Sequence, residues 1–309
     1  MTDPAAPPLR VWGYACLLSV LVFAVLAVSG PPLVALAVRL RATHDDMNLA
    51  RLAQSTEGRP RVVALGASKL FFATDYDERL VDGRYGVSPD ALVFNRLTWL
   101  DARYADVEPA LRQLQLHPPR LLLFETDLLL LDREARVPVR DNIRRLLNLL
   151  PAPAPASGSV AADDNADDNN VEQNRGHDVF KSPEYCLRSK GAEMVQRYAS
   201  LAATWHINSA ARQAAYLQYL RALRAAGTQV VLLQLPRSAA AEAVFPARLK
   251  QQWQSALSQI AETEQFQLWQ PPRPPEDEYC DQGHLTQDGR ARFSRWLAQQ
   301  LAAELQAVR

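Results

Sequence analysis

Three residues at opposite ends of the chain are of the types that perform acyl chemistry. Asp281 and His284 stand three apart in "YCDQGHLTQDGRARFSRWLAQQL", directly ahead of a helical pattern. At that spacing a carboxylate can orient an imidazole and stabilise its charged form, and the imidazole can then take a proton from a hydroxyl. The candidate hydroxyl is Ser68 in "LGASKLFF", where the apolar run Val62 to Leu65 reaches a Gly-Ala-Ser corner and turns helical. Ser68 is either a nucleophile or a plain turn and cap residue, since Gly and Ser serve both purposes. In the same way Asp281 is either the orienter of His284 or a helix N-cap.

Positioning such residues requires a rigid frame, and the hydropathy pattern supplies one. Apolar runs at Arg61–Leu65, Ala91–Asn95 ("ALVFN"), Arg120–Glu125 ("RLLLFE"), Gln229–Leu235 ("QVVLLQL") and Phe266–Gln270 ("FQLWQ") predict strands. Their near-continuous apolar character is that of strands covered on both faces. Helical spacing marks Asp106–Leu116, Asn208–Ala226, Leu249–Glu264 and Thr286–Val308, with Gly227 as a stop after the second. The alternation predicts an α/β three-layer sandwich with a mainly parallel sheet of about five strands. In such a sheet the loop after the first strand and a loop near the last meet at the carboxyl edge, which makes Ser68 and His284 neighbours. Asp127, just past the third strand, is a site residue or a cap. Arg237, after the fourth strand in "LPRS", binds an anionic or sugar group or lies in an exposed loop. Trp99, Trp205, Trp253 and Trp269 read as core. His44, His117, His177 and His206 lack metal-ligand spacing, so neither a metal nor a cofactor is expected.

Composition narrows the class. Lys plus Arg and Asp plus Glu are both 34, and a net charge of zero argues against a nucleic-acid partner. No charged residue occurs from Val11 to Val38, and Val11–Ser29 is long enough to cross a bilayer. An uncleaved, single-pass anchor is expected rather than a removed signal. The chain then divides into an anchor at 1–38, a connector at 39–60 and an α/β domain at 61–309. A flexible insertion at 151–176, rich in Pro, Ala, Asp and Asn, interrupts that domain. Asp163, Asp164, Asp167 and Asp168 lack the spacing and glycine of an EF-hand, so they read as a solvated loop. Arg39, Arg41 and Arg51 after the span favour a cytoplasmic domain weakly. Cys186 and Cys280, the two cysteines outside the span, point the other way if they form a disulfide, which needs an oxidising compartment. Two separate buried thiols are the alternative.

"ALGAS" after the first strand and "DQGHLTQDGRARFS" before the last helix resemble the first and last blocks of the SGNH, or GDSL, hydrolase superfamily. The resemblance spans residues 60–308 apart from the insertion. It implies a flavodoxin-like fold, Ser68 as nucleophile, His284 as general base and acid, and Asp281 as its orienter. Two features depart from the pattern. The second block supplies a glycine amide to the oxyanion hole, whereas "VFNRLTWLDARY" has no glycine. The third block reads Gly-x-Asn-Asp, whereas "FETD" places Thr126 at the Asn position, followed by Asp127. Asn95, Arg96, Thr98 and Thr126 are the candidate substitutes. Together with the anchor, this pattern is similar to proteins of alginate O-acetylation and of teichoic acid D-alanylation. That resemblance implies transfer or removal of O-acyl, chiefly O-acetyl, groups on an envelope polysaccharide, beside a multi-spanning membrane O-acyltransferase. The domain is then expected outside the cytoplasmic (inner) membrane, in the periplasm or beyond, with a Cys186–Cys280 bridge tying the segment after the insertion to the triad loop. The alternatives are a non-catalytic assembly or glycan-binding partner and a simple anchored esterase.

Overall fold

Each central strand is apolar on both sides because each of its sides meets a different core. Val62 and Ala64 lie in one cluster with Phe94, Leu123, Val231 and Leu297, while Val63 and Leu65 lie in another with Leu97, Phe124, Leu232 and Leu220. This alternation is the strand's two-residue period read on a sheet with helices on both faces. The computed structural model describes residues 49–52, 55–75, 77–99, 102, 104–132, 186 and 190–307. All of these fall within one compact unit. The expected anchor at 11–29, the first part of the connector and the insertion at 151–176 lie outside the described residues. Among the described residues no helix is long and apolar enough to cross a membrane.

In chain order the elements begin with β1 (Arg61–Gly66), α1 (Ser68–Ala73), α2 (Asp77–Leu80), β2 (Val93–Thr98), α3 (Tyr104–Leu116), β3 (Leu121–Glu125), α4 (Thr126–Leu130) and β4 (Leu131–Asp132). There follow α5 (Ala192–Ala202), β5 (His206–Ile207), α6 (Ala210–Ala225), β6 (Gln229–Leu233), α7 (Ala239–Val244), α8 (Ala247–Glu264), β7 (Gln267–Trp269) and α9 (Gln287–Ala307). Five strands form one sheet in the order β2-β1-β3-β6-β7, every pair parallel. Counting only those five, the order is the 2-1-3-4-5 of doubly wound sheets, and it reverses between β1 and β3. Side chains of α1, α2 and α9 pack on one face, and those of α3, α4, α6 and α8 on the other. The three-layer α/β architecture is therefore present in the described residues.

Some boundaries differ from expectation for identifiable reasons. The second strand starts at Val93 and runs on to Thr98 instead of spanning Ala91–Asn95. Its last four residues include three polar ones, which hide the strand from a hydropathy reading. Pairing with β1 overrides that composition, residue by residue from Arg61–Val93 to Gly66–Thr98. Arg96 is tolerated because its Nη1 donates to Phe71 O (3.0 Å), Thr74 O (2.9 Å) and Thr74 Oγ1 (3.0 Å). The helix expected from Leu249 begins at Ala247 and is preceded by the separate helix α7. The antiparallel pair β4–β5 has two residues per strand, too few to carry a periodicity. Local chemistry sets the ends of α6. Ser209 accepts from the Arg212 amide at its start, and Gly227, with φ of +91°, follows its last turn.

The start of α9 depends on the absence of a side chain at Gly289, where a Cβ would stand 2.4 Å from the Glu278 carbonyl oxygen. That oxygen also accepts from the Thr286 amide at 2.8 Å, so it is not free to retreat. Gly289→Ala is expected to lower stability by about 1–3 kcal/mol through this overpacking, read as a shift in the urea midpoint.

Candidate active site

Ser68 stands at the first residue of α1, immediately beyond the sheet's topological switch point, where ligands of open α/β sheets bind. The corner before it is tight. A Cβ on Gly66 would stand 2.5 Å from Glu125 Oε2 and 2.7 Å from Leu70. Only glycine lets the strand pass that close. The Ala67 amide donates to Glu125 Oε2 at 2.6 Å, which anchors the corner to the end of β3. At the other end of α1, the Arg96 guanidinium takes up carbonyls that a helix C-terminus leaves unpaired. The helix carrying Ser68 is thus fastened at both ends, while Ser68 itself remains partly exposed.

The Asp281–His284 loop is equally defined. Asp281 Oδ2 lies 2.7 Å from His284 Nδ1. Its Oδ1 accepts from the amides of Gly283 and His284, both at 2.9 Å. Asp281 is thus the capping residue of a short turn rather than the N-cap of α9, which starts six residues later at Gln287. A bridge between Tyr279 and Leu285 closes the loop, and the Cys280 amide donates to His284 O at 2.7 Å. Cys280 is disulfide-bonded to Cys186. Burial works to raise the Asp281 pKa, but the His284 ring and the two amides outweigh it and hold the carboxyl below its ordinary value.

Packing brings this loop to α1. The His284 ring lies 4.6 Å from the Phe72 ring, centroid to centroid. Phe72 is four residues beyond Ser68, on the same face of α1 and one turn along. Lys69 carbons come within 3.5 Å of where a Gly283 Cβ would stand. The imidazole therefore sits against the helix face that displays Ser68. No hydrogen bond joins Ser68 to His284 among the described residues, and such bonds commonly tighten only when substrate is bound.

Beneath the site lies a buried chain of charges. Asp127 is 2 % exposed and accepts from Arg237 Nη2 at 3.1 and 3.0 Å. Lys69 Nζ lies 2.7 Å from Asp127 Oδ2 and also donates to Leu235 O at 3.2 Å. Arg237 continues to Glu242 at 3.4 Å, and Glu242 to Lys250 at 2.6 Å. Desolvation works to lower the Arg237 pKa, but the Asp127 charge prevails and raises it. Two further bonds tie this network to the Asp281–His284 loop. Tyr279 Oη donates to Arg237 O at 3.2 Å, and the Ser238 amide to Gln282 O at 3.1 Å.

The structure pairs Asp281 with His284 and sets the imidazole against Phe72, one turn along α1 from Ser68. Asp127 and Arg237, read from sequence as edge residues, are bonded to each other. Thr126 opens α4 beside the Ser68 corner, but its side chain is buried and its Oγ1 has no hydrogen-bond partner. Asn95 is not brought to the site. It is buried opposite Val63, three residues and roughly 10 Å short of the end of β2 at Thr98. Sequence reading passed over Lys69 and Glu125. Each had a signal, namely a charge inside an otherwise apolar helix start or at the end of an apolar strand. Among the described residues no group of His, Cys, Asp and Glu is placed to hold a metal.

No protein-family model matches the chain, and no curated protein matches it. Solved structures give distant overall likenesses. A proposed acylhydrolase from Bacteroides fragilis NCTC 9343 is 12 % identical over 84 % of this chain and 94 % of its own, with a TM-score of 0.41. A proposed lipolytic protein of the G-D-S-L family from Desulfitobacterium hafniense DCB-2 is 9 % identical over 78 % of this chain and 99 % of its own, with a TM-score of 0.36. The chemistry available to this chain rests on its own residues.

Asp127→Asn leaves two buried cations without their shared carboxylate and is expected to cost about 3–5 kcal/mol in urea unfolding. Asp281 behaves differently with pH. Its folded pKa is depressed, so its contribution to stability is fully present above the unfolded carboxylate value of about 3.9 and is lost as pH falls below it. Acid titrations of unfolding free energy for Asp281→Asn and the parent protein should therefore keep a constant separation above that pH and approach each other below it.

Proposed function

We propose that this protein transfers or hydrolyses O-acyl groups through Ser68, His284 and Asp281. One observation carries the reading: the 2.7 Å contact of Asp281 with His284 Nδ1, in a loop that lays the imidazole on the Ser68 face of α1. Asp281 fixes the imidazole with Nδ1 as donor and leaves Nε2 to take the Ser68 proton. Ser68 Oγ then adds to the acyl carbonyl, and His284 returns the proton to the departing oxygen. An acyl-enzyme results, which water or a sugar hydroxyl resolves. The substrate class we infer is an O-acylated, chiefly O-acetylated, cell-envelope polysaccharide. In this reading the protein is anchored in the cytoplasmic membrane by residues 11–29, works outside it, and has a multi-spanning membrane O-acyltransferase as its partner. The Cys186–Cys280 bond supports an oxidising location. The similarity of the Ser68 and Asp281–His284 blocks to SGNH hydrolases supports the chemistry.

A second reading is favoured by the supply of oxyanion donors. The Ala67 amide is already bonded to Glu125, Asn95 is mid-strand and Thr126 is buried. The Ser68 amide remains. A missing donor is worth about 3 kcal/mol of the barrier. A glycan-binding or assembly partner that keeps the fold and lacks turnover of its own would show this deficit.

The test is reaction of the full-length protein, in mild detergent, with a fluorophosphonate, read by intact mass. One phosphonyl adduct is expected, absent in Ser68→Ala. Ser68→Ala and His284→Ala should each lower hydrolysis of p-nitrophenyl acetate on the order of 10³-fold or more. A folded protein that takes no label would overturn the acyl-transfer reading in favour of the second.

A further inference from the structure

The amino edge of the sheet, opposite to Ser68, carries a groove of about 670 Å³. Arg59, Arg61 and Arg120 line it with His117, Leu52 and Leu116, and no Asp or Glu stands among its described lining residues. We propose that this groove seats the phosphate headgroup of an anionic phospholipid and so lays the amino edge of the sheet on the bilayer. The proposal rests on the membrane-anchored part of the proposed function for its occupant, and not on the acyl chemistry.

The backbone of the sheet sets the arginines side by side. Arg61 opens β1, and Arg120 directly precedes β3. Val62 pairs with Leu121, so Arg61 and Arg120, each one residue earlier, are neighbours, and the Arg120 amide donates to Arg61 O at 2.8 Å. Adjacent strands lie about 4.8 Å apart. Like charges based at that spacing repel, and an anion bound to both relieves the repulsion. Arg61 Nη1 donates to Leu52 O, while Arg59 donates to Thr56 O at 3.1 Å and to Pro89 O at 2.9 Å. Carbonyls fix these two guanidinium groups without cancelling their charge. Arg120 is exposed. Planar guanidinium groups match the oxygens of a phosphate.

The two sides of this edge differ in charge. On the side of α9, Arg59 and Arg120 border a second cavity, whose wall also holds Glu57, Asp90 and Glu304. Glu57 meets Arg59 Nη2 at 3.5 Å, an exposed contact of small worth. On the side of α3 the groove has no such carboxylate in its lining. Leu116, the last residue of α3, is 71 % exposed and borders the groove. A lone exposed leucine is ordinary. Beside three arginines it is the apolar half of an interfacial contact.

The course of the chain selects a bilayer as the source of the anion. The described chain begins with helical residues 49–52, and Leu52 there is buried and lines the groove. The expected anchor at 11–29 is therefore joined to the domain at this edge. Residues 30–48 lie between, which at about 3.5 Å per residue keeps the groove within roughly 65 Å of the bilayer. Such a tether presents lipid to the groove at high effective concentration. Ser68, beyond the other end of β1, would then stand about 20 Å farther from the lipid than the arginines do.

Hydrogen exchange of the full-length protein tests this, in nanodiscs of phosphatidylcholine with and without phosphatidylglycerol. Phosphatidylglycerol should slow exchange in segments 55–59 and 116–120 about five-fold or more, the factor that one arginine near an anionic surface supplies. Arg120→Glu and Leu116→Ser, both at exposed positions, should each reduce the slowing, and Arg120→Lys should keep most of it. All three should leave fluorophosphonate labelling of Ser68 unchanged. In 1 M salt, where screening cuts the reach of charge to about 3 Å, the effect should fade. Inorganic phosphate added to phosphatidylcholine nanodiscs should slow nothing. Equal exchange in the two lipids, slowing indifferent to Arg120→Glu, or slowing by inorganic phosphate alone would overturn the proposal, the last in favour of a soluble anion. A protein that does not enter the nanodiscs would overturn the anchored reading and this proposal with it. One that enters and exchanges equally in both lipids would overturn the proposal alone.

Discussion

The carboxyl edge of this protein is organised around one buried carboxylate. Asp127 is almost wholly removed from water, a state that costs an isolated ion many kcal/mol. Lys69 approaches it from the start of α1 and Arg237 from the loop after β6. Asp127 itself follows β3. The ends of three adjacent strands, β1, β3 and β6, are thereby fixed relative to one another by groups that cannot leave without exposing a charge to the interior. Charge continues outward through Glu242 to Lys250, so the network ends in solvent rather than in the core.

Each half of the candidate site is attached to this frame by separate fasteners. The Ser68 helix is held through Lys69 from below, through the Ala67–Glu125 bond at its entry and through Arg96 at its exit. The His284 loop is held by the carboxylate of Asp281, by Tyr279 and Gln282 against the β6 loop, and by the disulfide at Cys280. The two halves then meet through the contact of Phe72 with His284. The position of His284 relative to the helix that carries Ser68 thus derives from packing and paired charge.

What the sequence disclosed follows the range of each interaction. The strands were legible where both faces are apolar, as in β1 and β3, because that character is continuous along the chain. The second strand was misplaced because Asn95, Arg96 and Thr98 take their burial from β1 and from carbonyls more than twenty residues away. Asp281 and His284 were legible as a pair because their contact is local. Asp127 and Arg237 were visible as edge residues, but their bond spans 110 positions, and nothing local announces it. Lys69 stood in plain view beside Ser68. Its meaning depends on Asp127, which no periodicity links to it.

The bridge joins Cys186 to Cys280 across a sequence separation of 94, with α5 to α8 and the strands β6 and β7 between them. During synthesis Cys186 emerges long before its partner. The native pair can close only once Cys280 has been made, and by then all five strands of the sheet and every described helix but α9 have been made. Oxidation is thus a record that synthesis has passed residue 280, and it is written one residue from the carboxylate that holds the His284 ring. A chain that stops short of Cys280 would carry Cys186 without this partner, distinguishable from the mature molecule by alkylation alone.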